Sequence, residues 1–473
     1  MQGKILIVDP IATHRIMLKV KLASAFYCVL QAGTMAEAQD IAETRAPDLI
    51  LCAMHLPDGS AAALCKALSD RPRSRPIAML ALSTGVDRPT RMAALAAGVH
   101  DVLARPFDDT LLLSRVRSLI RAHNTEADWR IRDDAAGPLG FAEPEVPFGA
   151  QGAFVLVGRN KAVMQRWAIQ MRPLLGAGVM LANVTDVMSE RIVARAPDIF
   201  VLTIDTDTPH PEENLRLISA LRANAHTQHS GILVLQTRPD PALAATALDL
   251  GADDLMTEGF DADELALRLK ALLRRKRVTD HLRQTIRTGL KAATRDPLTG
   301  LYNRRYAMPH LAQVAEQARG TGRPFAVMVC DLDHFKQIND LFGHASGDAA
   351  LVQVAERLRG ALRPTDMVAR IGGEEFMIVM PATTAAEARQ AALRLCDQIG
   401  CRPFDLPGSA TPVRITISIG MTISSAPHSL PNVGEPGVTP QETGNRLMDQ
   451  ADKALYTAKV KGRNQVEMSR PAA

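Results

Sequence analysis

MVARIGGEEFMIVM, residues 367–380, reads as two apolar strands meeting at the pair Gly372-Gly373, with Glu374 and Glu375 directly after it. A glycine pair suits the positive φ angles of a tight hairpin. Lacking a Cβ, it also lets a phosphate or ribose come close to the backbone. The two glutamates at the tip would point to opposite faces. Taken alone, a bare hairpin with surface acids explains the stretch as well as a binding site does. Upstream, the apolar run PFAVMVCDLD (324–333) ends in Asp331 and Asp333, and HFKQIND then brings Lys336, Asn339 and Asp340 onto a turn or helix. Carboxylates at a strand end, opposite a glutamate hairpin, suit Mg2+, a hard cation that prefers oxygen ligands and substrate phosphates. A nearby lysine supplies a point charge for phosphate. Metal plus lysine can stabilise charge developing in phosphoryl or nucleotidyl transfer.

Around this pair the pattern predicts helices over 350–362, 384–399 and about 445–461, and a strand VRITISIG over 413–420. The Pro/Gly-rich SSAPHSLPNVGEPGVTPQ reads as an exposed insertion. The N-terminal part is built differently. Short apolar runs, KILIVD (4–9), DLILCAM (48–54), IAMLALS (77–83) and HDVLA (100–104), alternate with helical stretches, the last over 108–122. That is the pattern of βαβ units with a parallel sheet covered on both faces. Residues 123–152 turn rich in Pro, Gly and acids, as a linker does. The pattern then restarts at AFVLVG (153–158): APDIFVLT (196–203) repeats APDLILCA (46–53), and LGADDLMTEGF (250–260) repeats AGVHDVLARPF (97–107). This is a tandem duplication of one α/β domain. From Asp261 a long helical stretch follows, one helix that would finish the second copy and continue as a stalk. Its RRKR (274–277) is either a basic recognition patch or, more plainly, a solvated helix face.

The 473 residues suggest about three domains. A formal charge of +4, from 55 basic and 51 acidic residues, lacks the concentrated basic surface that nucleic acid demands. The six cysteines are scattered without a CxxC pair, which predicts thiols in a reducing compartment rather than disulfides or zinc. No stretch of eighteen apolar residues occurs and KILIVD is too short for a signal peptide, so a cytoplasmic protein without membrane insertion is expected.

DPLTGLYNRR (296–305), DLDHFKQINDLFGHASGD (331–348), RIGGEEF (370–376) and DKALYTAKVKGRN (452–464) occur in the order found in GGDEF-domain diguanylate cyclases. The two preceding domains resemble response-regulator receivers, and the whole order resembles that of PleD-type regulators. The resemblance implies two flavodoxin-like receivers followed by an α+β, nucleotidyl-cyclase-like GGDEF domain. The expected boundaries are 1–123 for the first receiver, 124–152 for the linker, 153–275 for the second receiver, 276–295 for the stalk helix and 296–473 for the cyclase domain. It implies condensation of two GTP into cyclic di-GMP and two pyrophosphates, by a homodimer. Asp331, the Leu332 carbonyl, Glu374 and Glu375 would hold Mg2+, with Mn2+ as the alternative ion. Glu374 would take the proton from the ribose 3′-hydroxyl. Lys336, Lys459 and Arg463 would stabilise the phosphates, Asn339 and Asp348 would read guanine, and Phe335, Gly372 and Gly373 would line the nucleotide. Arg363-Pro-Thr-Asp366 matches the RxxD site at which the family binds cyclic di-GMP as an inhibitor, with Arg394 as a further ligand.

Phosphorylatable receivers carry an aspartate nucleophile, an acid pair and a lysine. The first copy has Ala53, Asp9-Pro10 and Arg105 in those places, keeping only Ser83 at the hydroxyl position; the second has Thr203, Gly158-Arg159 and Glu258. A methyl group forms no acyl phosphate. Asp205 and His55 are weak substitutes. Both receivers are therefore expected to be silent to phosphotransfer and to act as dimerisation or partner-docking modules. The rival reading of the chain is a non-catalytic sensor of GTP or cyclic di-GMP, although its GG-E-E-F turn is intact. A DNA-binding regulator lacks any helix-turn-helix candidate.

Overall fold

β1 (Gln2–Val8), β2 (Tyr27–Ala32), β3 (Leu49–Ala53), β4 (Ala78–Ser83) and β5 (Asp101–Ala104) pair in parallel in the order β2-β1-β3-β4-β5. The same order recurs in β6 (Phe154–Val157), β7 (Val179–Ala182), β8 (Ile199–Ile204), β9 (Gly231–Gln236) and β10 (Asp254–Met256), arranged β7-β6-β8-β9-β10. This is the flavodoxin-like order, and it gives the duplicated sequence two copies of one fold. The central strands are buried on both faces, which is why they read as unbroken apolar runs. The computed structural model describes residues 2–70, 77–85, 87–136, 152–189, 192, 197–205, 212–424 and 439–469. Most of the expected linker and of the expected insertion lies outside the described residues.

The chain forms two units, Met1–Ile286 and Arg287–Ala473. In the first, helices α1 (Ala12–Ser24), α2 (Met35–Arg45), α3 (Ala61–Ser69), α4 (Arg88–Ala96) and α5 (Asp109–Ala136) alternate with the first five strands. Thr34 and Ser60 cap α2 and α3 by accepting from the Glu37 and Ala63 amides. Helix α5 runs well past the expected end at 122, into the stretch read as linker. No glycine or proline interrupts it before Gly137-Pro138. α6 (Lys161–Leu175), α7 (Glu212–Ala223) and α8 (Pro241–Asp249) serve the second copy, and α9 (Ala262–Thr294) is one continuous helix, as the long periodic stretch predicts.

Within this unit the two receivers face each other through β5, β10 and the helices after them. Asp101 accepts from Arg115 at 2.7 Å and from Arg268 at 2.7 Å, while Asp254 pairs with Arg268 at 3.0 Å and with Arg115. These are the same two residues of each copy, so every carboxylate is shared between its own arginine and its counterpart's. Arg268 also reaches Glu264 at 2.9 Å, and Arg91 bridges Glu264 at 3.1 Å and Glu258 at 2.9 Å. Arg115 and Arg268 are 1% and 3% exposed, so their charges depend on these carboxylates, while Arg115 Nε and Nη1 are buried without a partner among the described residues.

The second unit holds a six-stranded mixed sheet in the order β11-β13-β14-β12-β15-β16, formed by Tyr302–Asn303 (β11), Phe325–Leu332 (β12), Met367–Arg370 (β13), Glu375–Met380 (β14), Ile417–Ser424 (β15) and Val466–Met468 (β16). α10 (Arg304–Thr321) and α14 (Pro440–Val460) cover one face, where Val327, Val329 and Val379 point; α12 (His344–Ala361) and α13 (Ala385–Cys401) cover the other, with Met328, Ile378 and Ile419. α11 (Phe335–Phe342) sits between β12 and α12 in the chain. α12 and α14 begin earlier than the apolar period suggests, α14 because Thr439 and Glu442 form a capping box. The strand expected over 413–420 is displaced to Ile417–Ser424. Val413 instead forms an isolated bridge with Phe404. Among the described residues no helix is long and apolar enough to cross a membrane.

Candidate active site

β12 and β14 are antiparallel neighbours whose register sets Asp331 directly across from Glu375. The Leu332 amide donates to the Glu374 carbonyl at 3.3 Å, so the acidic strand end and the tip of the hairpin meet. Asp331 is 4% exposed and Glu374 is half-buried. Burial pushes the Asp331 carboxyl above its usual range; Lys459 opposes this, and Glu375 and Asp333 add to it. Glu374 is likewise raised, first by burial and then by the Asp331 charge. Crowded carboxylates of this kind are relieved by a cation.

The cation within reach belongs to the protein. Lys459 Nζ lies 2.8 Å from Asp331 Oδ2, so the lysine expected on phosphate rests on the carboxylate. Among the described residues no three acidic, histidine or cysteine side chains form a ready metal cage.

Asp333, read together with Asp331 as a carboxylate suited to metal, has another role. It is 5% exposed and accepts from Thr416 Oγ1 at 2.6 Å, Ser418 Oγ at 2.7 Å and the Asn464 amide at 3.0 Å. Its oxygens are spent on pinning the KGRN loop to β15. The hairpin glycines also differ from expectation. Neither Gly372 nor Gly373 has positive φ. At Gly372 the requirement is space, because a Cβ there would lie 2.4 Å from Glu375 Oε2, whereas the position at Gly373 is open. Arg370, which the sequence reading passed over, holds the turn: its guanidinium donates to the Gly373 carbonyl at 2.7 Å and to Asp296 of the DPLTG turn at 3.1 Å.

On α11, Phe335 is buried, Lys336 is exposed and Asn339 is half-buried; Asp348 is exposed on α12 and Arg463 is exposed in the KGRN loop. Asn339 is packed against the start of α12, where a Cβ on Gly347 would fall 1.9 Å from Asn339 Oδ1. Arg363-Pro-Thr-Asp366 forms a turn in which Asp366 Oδ2 accepts from the Arg363 amide at 3.0 Å. Asp366 Oδ1 is buried without a hydrogen-bond partner among the described residues. Arg394 donates to the Ala361 carbonyl at 3.3 Å.

The receiver pockets are filled by their own substitutions. Arg105 Nη2 pairs with Asp9 Oδ2 at 2.9 Å and Nη1 contacts His14 Nδ1 at 2.5 Å, so a fixed guanidinium holds the remaining acid. In the second copy Thr203 donates to the Val157 carbonyl at 3.0 Å and lies over Gly158, where a Cβ would be 2.3 Å from its hydroxyl.

The family described as "Diguanylate cyclase, GGDEF domain" matches residues 293–465, and "Response regulator receiver domain" matches residues 5–117. The response regulator PleD of Caulobacter vibrioides is 32% identical over 468 residues, covering 98% of this chain and 99% of PleD. The diguanylate cyclase DgcP of Pseudomonas aeruginosa is 36% identical over 210 residues, 44% of this chain and 29% of DgcP. The solved coiled coil and GGDEF domain of DgcB from Caulobacter crescentus, in complex with c-di-GMP, is 28% identical at a TM-score of 0.36, over 42% of this chain and 98% of that one. At that score the likeness adds nothing to the assignment.

Proposed function

Because the chain belongs to the PleD-type response-regulator diguanylate cyclases, a family that uses GTP and a divalent metal, we propose that its catalytic site is the meeting point of Asp331 and Glu374. The supporting observation is that pairing of β12 with β14 brings two half- to fully buried carboxylates together beside Lys459. Asp331, Glu374, Glu375 and the Leu332 carbonyl are the residues to hold the ion, for which Mg2+ suits an all-oxygen set. Bound there, it would neutralise the triphosphate and stabilise charge on the leaving pyrophosphate. Lys336 and Arg463, both exposed, are free to add charge on the phosphates, and Lys459 exchanges Asp331 for them once the ion binds. Asn339 and Asp348 read the guanine edge, and Phe335 and the two glycines bound the pocket. Glu374 accepts the 3′-hydroxyl proton as that oxygen attacks an α-phosphate and pyrophosphate leaves.

One such site holds one GTP, and the product contains two guanylate units. Two protomers therefore work face to face, each hydroxyl attacking the partner's nucleotide, because only that arrangement makes both attacks effectively intramolecular. Arg363, Asp366 and Arg394 form the product-inhibition site. The buried free Oδ1 of Asp366 supports this, since it suits a guanine N–H donor. The protein works in the cytoplasm; Cys52, Cys65, Cys330 and Cys396 are buried free thiols. The receivers are docking modules, and the domain limits are those the sequence suggests except that α5 carries the first receiver to Ala136. The test is incubation with GTP and Mg2+ and detection of cyclic di-GMP and pyrophosphate. Glu374→Gln should lower turnover by about 10²–10⁴-fold with the fold intact. Nucleotide binding without any turnover in the wild type would favour a sensor instead.

A further inference from the structure

RRKR (274–277) is only partly the solvated helix face that its composition suggests. Arg274 is exposed, while Arg275 and Lys276 are half-buried and line a cavity of about 220 Å³ together with Thr279, Asp280 and Arg283. These five positions recur at the spacing of one helix face. The opposite wall comes from the second receiver: Arg222, Gln228, His229, Ser230 and Asp253.

The charges lining this cavity do not balance. Four permanent cations, Arg222, Arg275, Lys276 and Arg283, face two carboxylates, Asp253 and Asp280. Asp253 is already committed to Arg222 at 2.7 Å and to the Ile232 amide at 2.8 Å. Arg222 spends the rest of its fork on the carbonyls of Gly251, Gln228 and Ser230. Lys276 is held by Asp198 at 3.3 Å and by Asp280, which also receives Arg283 at a long 3.4 Å. The Arg275 carbonyl accepts from Thr279 Oγ1 at 3.0 Å, but its guanidinium has no hydrogen bond or ion pair among the described residues. Its charge is felt nearby: the His100 imidazole is held down to about 3, first by burial and then by Arg275. A half-buried guanidinium facing a recess is costly to leave uncompensated.

We infer that this cavity binds a small phosphate-bearing anion, with Arg275 and Arg283 of α9 as its principal ligands and the Arg222 wall of the second receiver as its floor. Arginine forks match phosphoryl oxygens geometrically. The volume accepts orthophosphate or pyrophosphate whole, and a nucleoside monophosphate by its phosphate end. No motif of the cyclase domain contributes to the cavity. The ligand joins α9 to the second receiver, and that same helix continues to Thr294, two residues before Asp296 of the DPLTG turn. The site is thus placed to report an anion to the helix that leads into the catalytic segment.

The experiment is titration of the full-length, metal-free protein with pyrophosphate, orthophosphate and GMP by calorimetry at fixed ionic strength. One saturable site is expected, weakened about tenfold or more in Arg275→Gln, because a charge-assisted hydrogen bond is lost. Thr279→Glu should weaken it similarly, by adding a carboxylate to the wall while sparing every cation. It decides the matter if Arg275→Gln does not fold. Lys336→Ala, on the cyclase domain, should leave the site intact. Tighter binding of GMP than of orthophosphate would make the ligand a nucleotide, and the reverse a free phosphate or pyrophosphate. The inference is overturned if both cavity variants titrate like the wild type, or if Lys336→Ala removes the binding.

Discussion

Substituting Gly347 by alanine tests the guanine-reading assignment without replacing any residue that would contact the nucleotide. An ideal Cβ at this position lies 1.9 Å from Asn339 Oδ1 and 3.2 Å from Phe335 Cζ. Non-bonded neighbours settle at about 3.5 Å, so the Asn339 amide must retreat by about 1.5 Å. The side-chain amide yields more readily than the helix, whose Gly347 amide is bonded to the Gly343 carbonyl at 3.2 Å. An amide displaced that far loses both hydrogen bonds it could make to a base edge. At about 0.5–1.5 kcal/mol each, KM for GTP should rise about 10- to 100-fold. Turnover at saturation should change only a few-fold, because the base is held alike in ground and transition states. The assay is steady-state pyrophosphate release with GTP and with ITP, which lacks the 2-amino group. The wild-type preference for GTP should shrink in Gly347→Ala. Overpacking costs about 1–3 kcal/mol, so a melting curve must accompany the kinetics. A KM within about twofold of wild type would refute the reasoning, and collapse of turnover at unchanged KM would move Asn339 from recognition to chemistry.

Three further outcomes are expected. Acetyl phosphate or beryllofluoride should leave turnover and self-association unchanged; any receiver-dependent increase would contradict the reading of Ala53 and Thr203. Arg363→Ala should raise the cyclic di-GMP concentration giving half-inhibition by about tenfold or more, and an unchanged inhibition curve would remove the RxxD site. Asp101→Asn should destabilise the first unit by about 3–5 kcal/mol by leaving Arg115 and Arg268 underpaired. Burial alone would raise the Asp101 carboxyl, but Arg115 and Arg268 outweigh it and hold it well below the usual range. A depressed folded pKa stabilises fully above the unfolded value, about 3.9, and that stability is lost as pH falls through the folded one. Urea midpoints should therefore fall below about pH 4 in the wild type and change less in Asp101→Asn; parallel acid limbs would count against the cluster.

The sheets were legible because strands buried on both faces leave continuous apolar runs, and the duplication because the same runs recur. Asp331 and Glu374 were legible for a related reason: each sits where an apolar run stops. What the sequence concealed was long-range pairing. Lys459 sits on Asp331, and Asp333 binds Thr416, Ser418 and Asn464, through contacts made only after β12 and β15 pair and α14 packs on them. Local geometry misled at Gly372, where room for Glu375 rather than a left-handed backbone explains the missing Cβ. The shift of the strand at 413–420 is similar, since Val413 is drawn off by Phe404. The interface arginines were hidden by their surroundings. Arg115 and Arg268 lie in helices rich in other basic residues, and only the repeat of one Asp and one Arg at equal separation in both copies marks them out.

That repeat bears on how the receivers act. The last strand and helix of each receiver are committed to those of the other. Asp101 and Asp254 each take both arginines. Glu258, standing where a lysine would answer a phosphoryl group, is turned outward to Arg91 of the other copy. Arg105 in turn fixes Asp9, the one acid left in the first pocket. Glu258 and Arg105, which replace the lysine of a phosphorylatable receiver, are thus the residues that fasten the unit and fill its pocket. A pocket that had merely drifted after losing its nucleophile would not be expected to acquire partners for its replacements. The pairing of Glu258 with Arg91 and of Arg105 with Asp9 argues instead that the tandem receivers persist as one fastened unit.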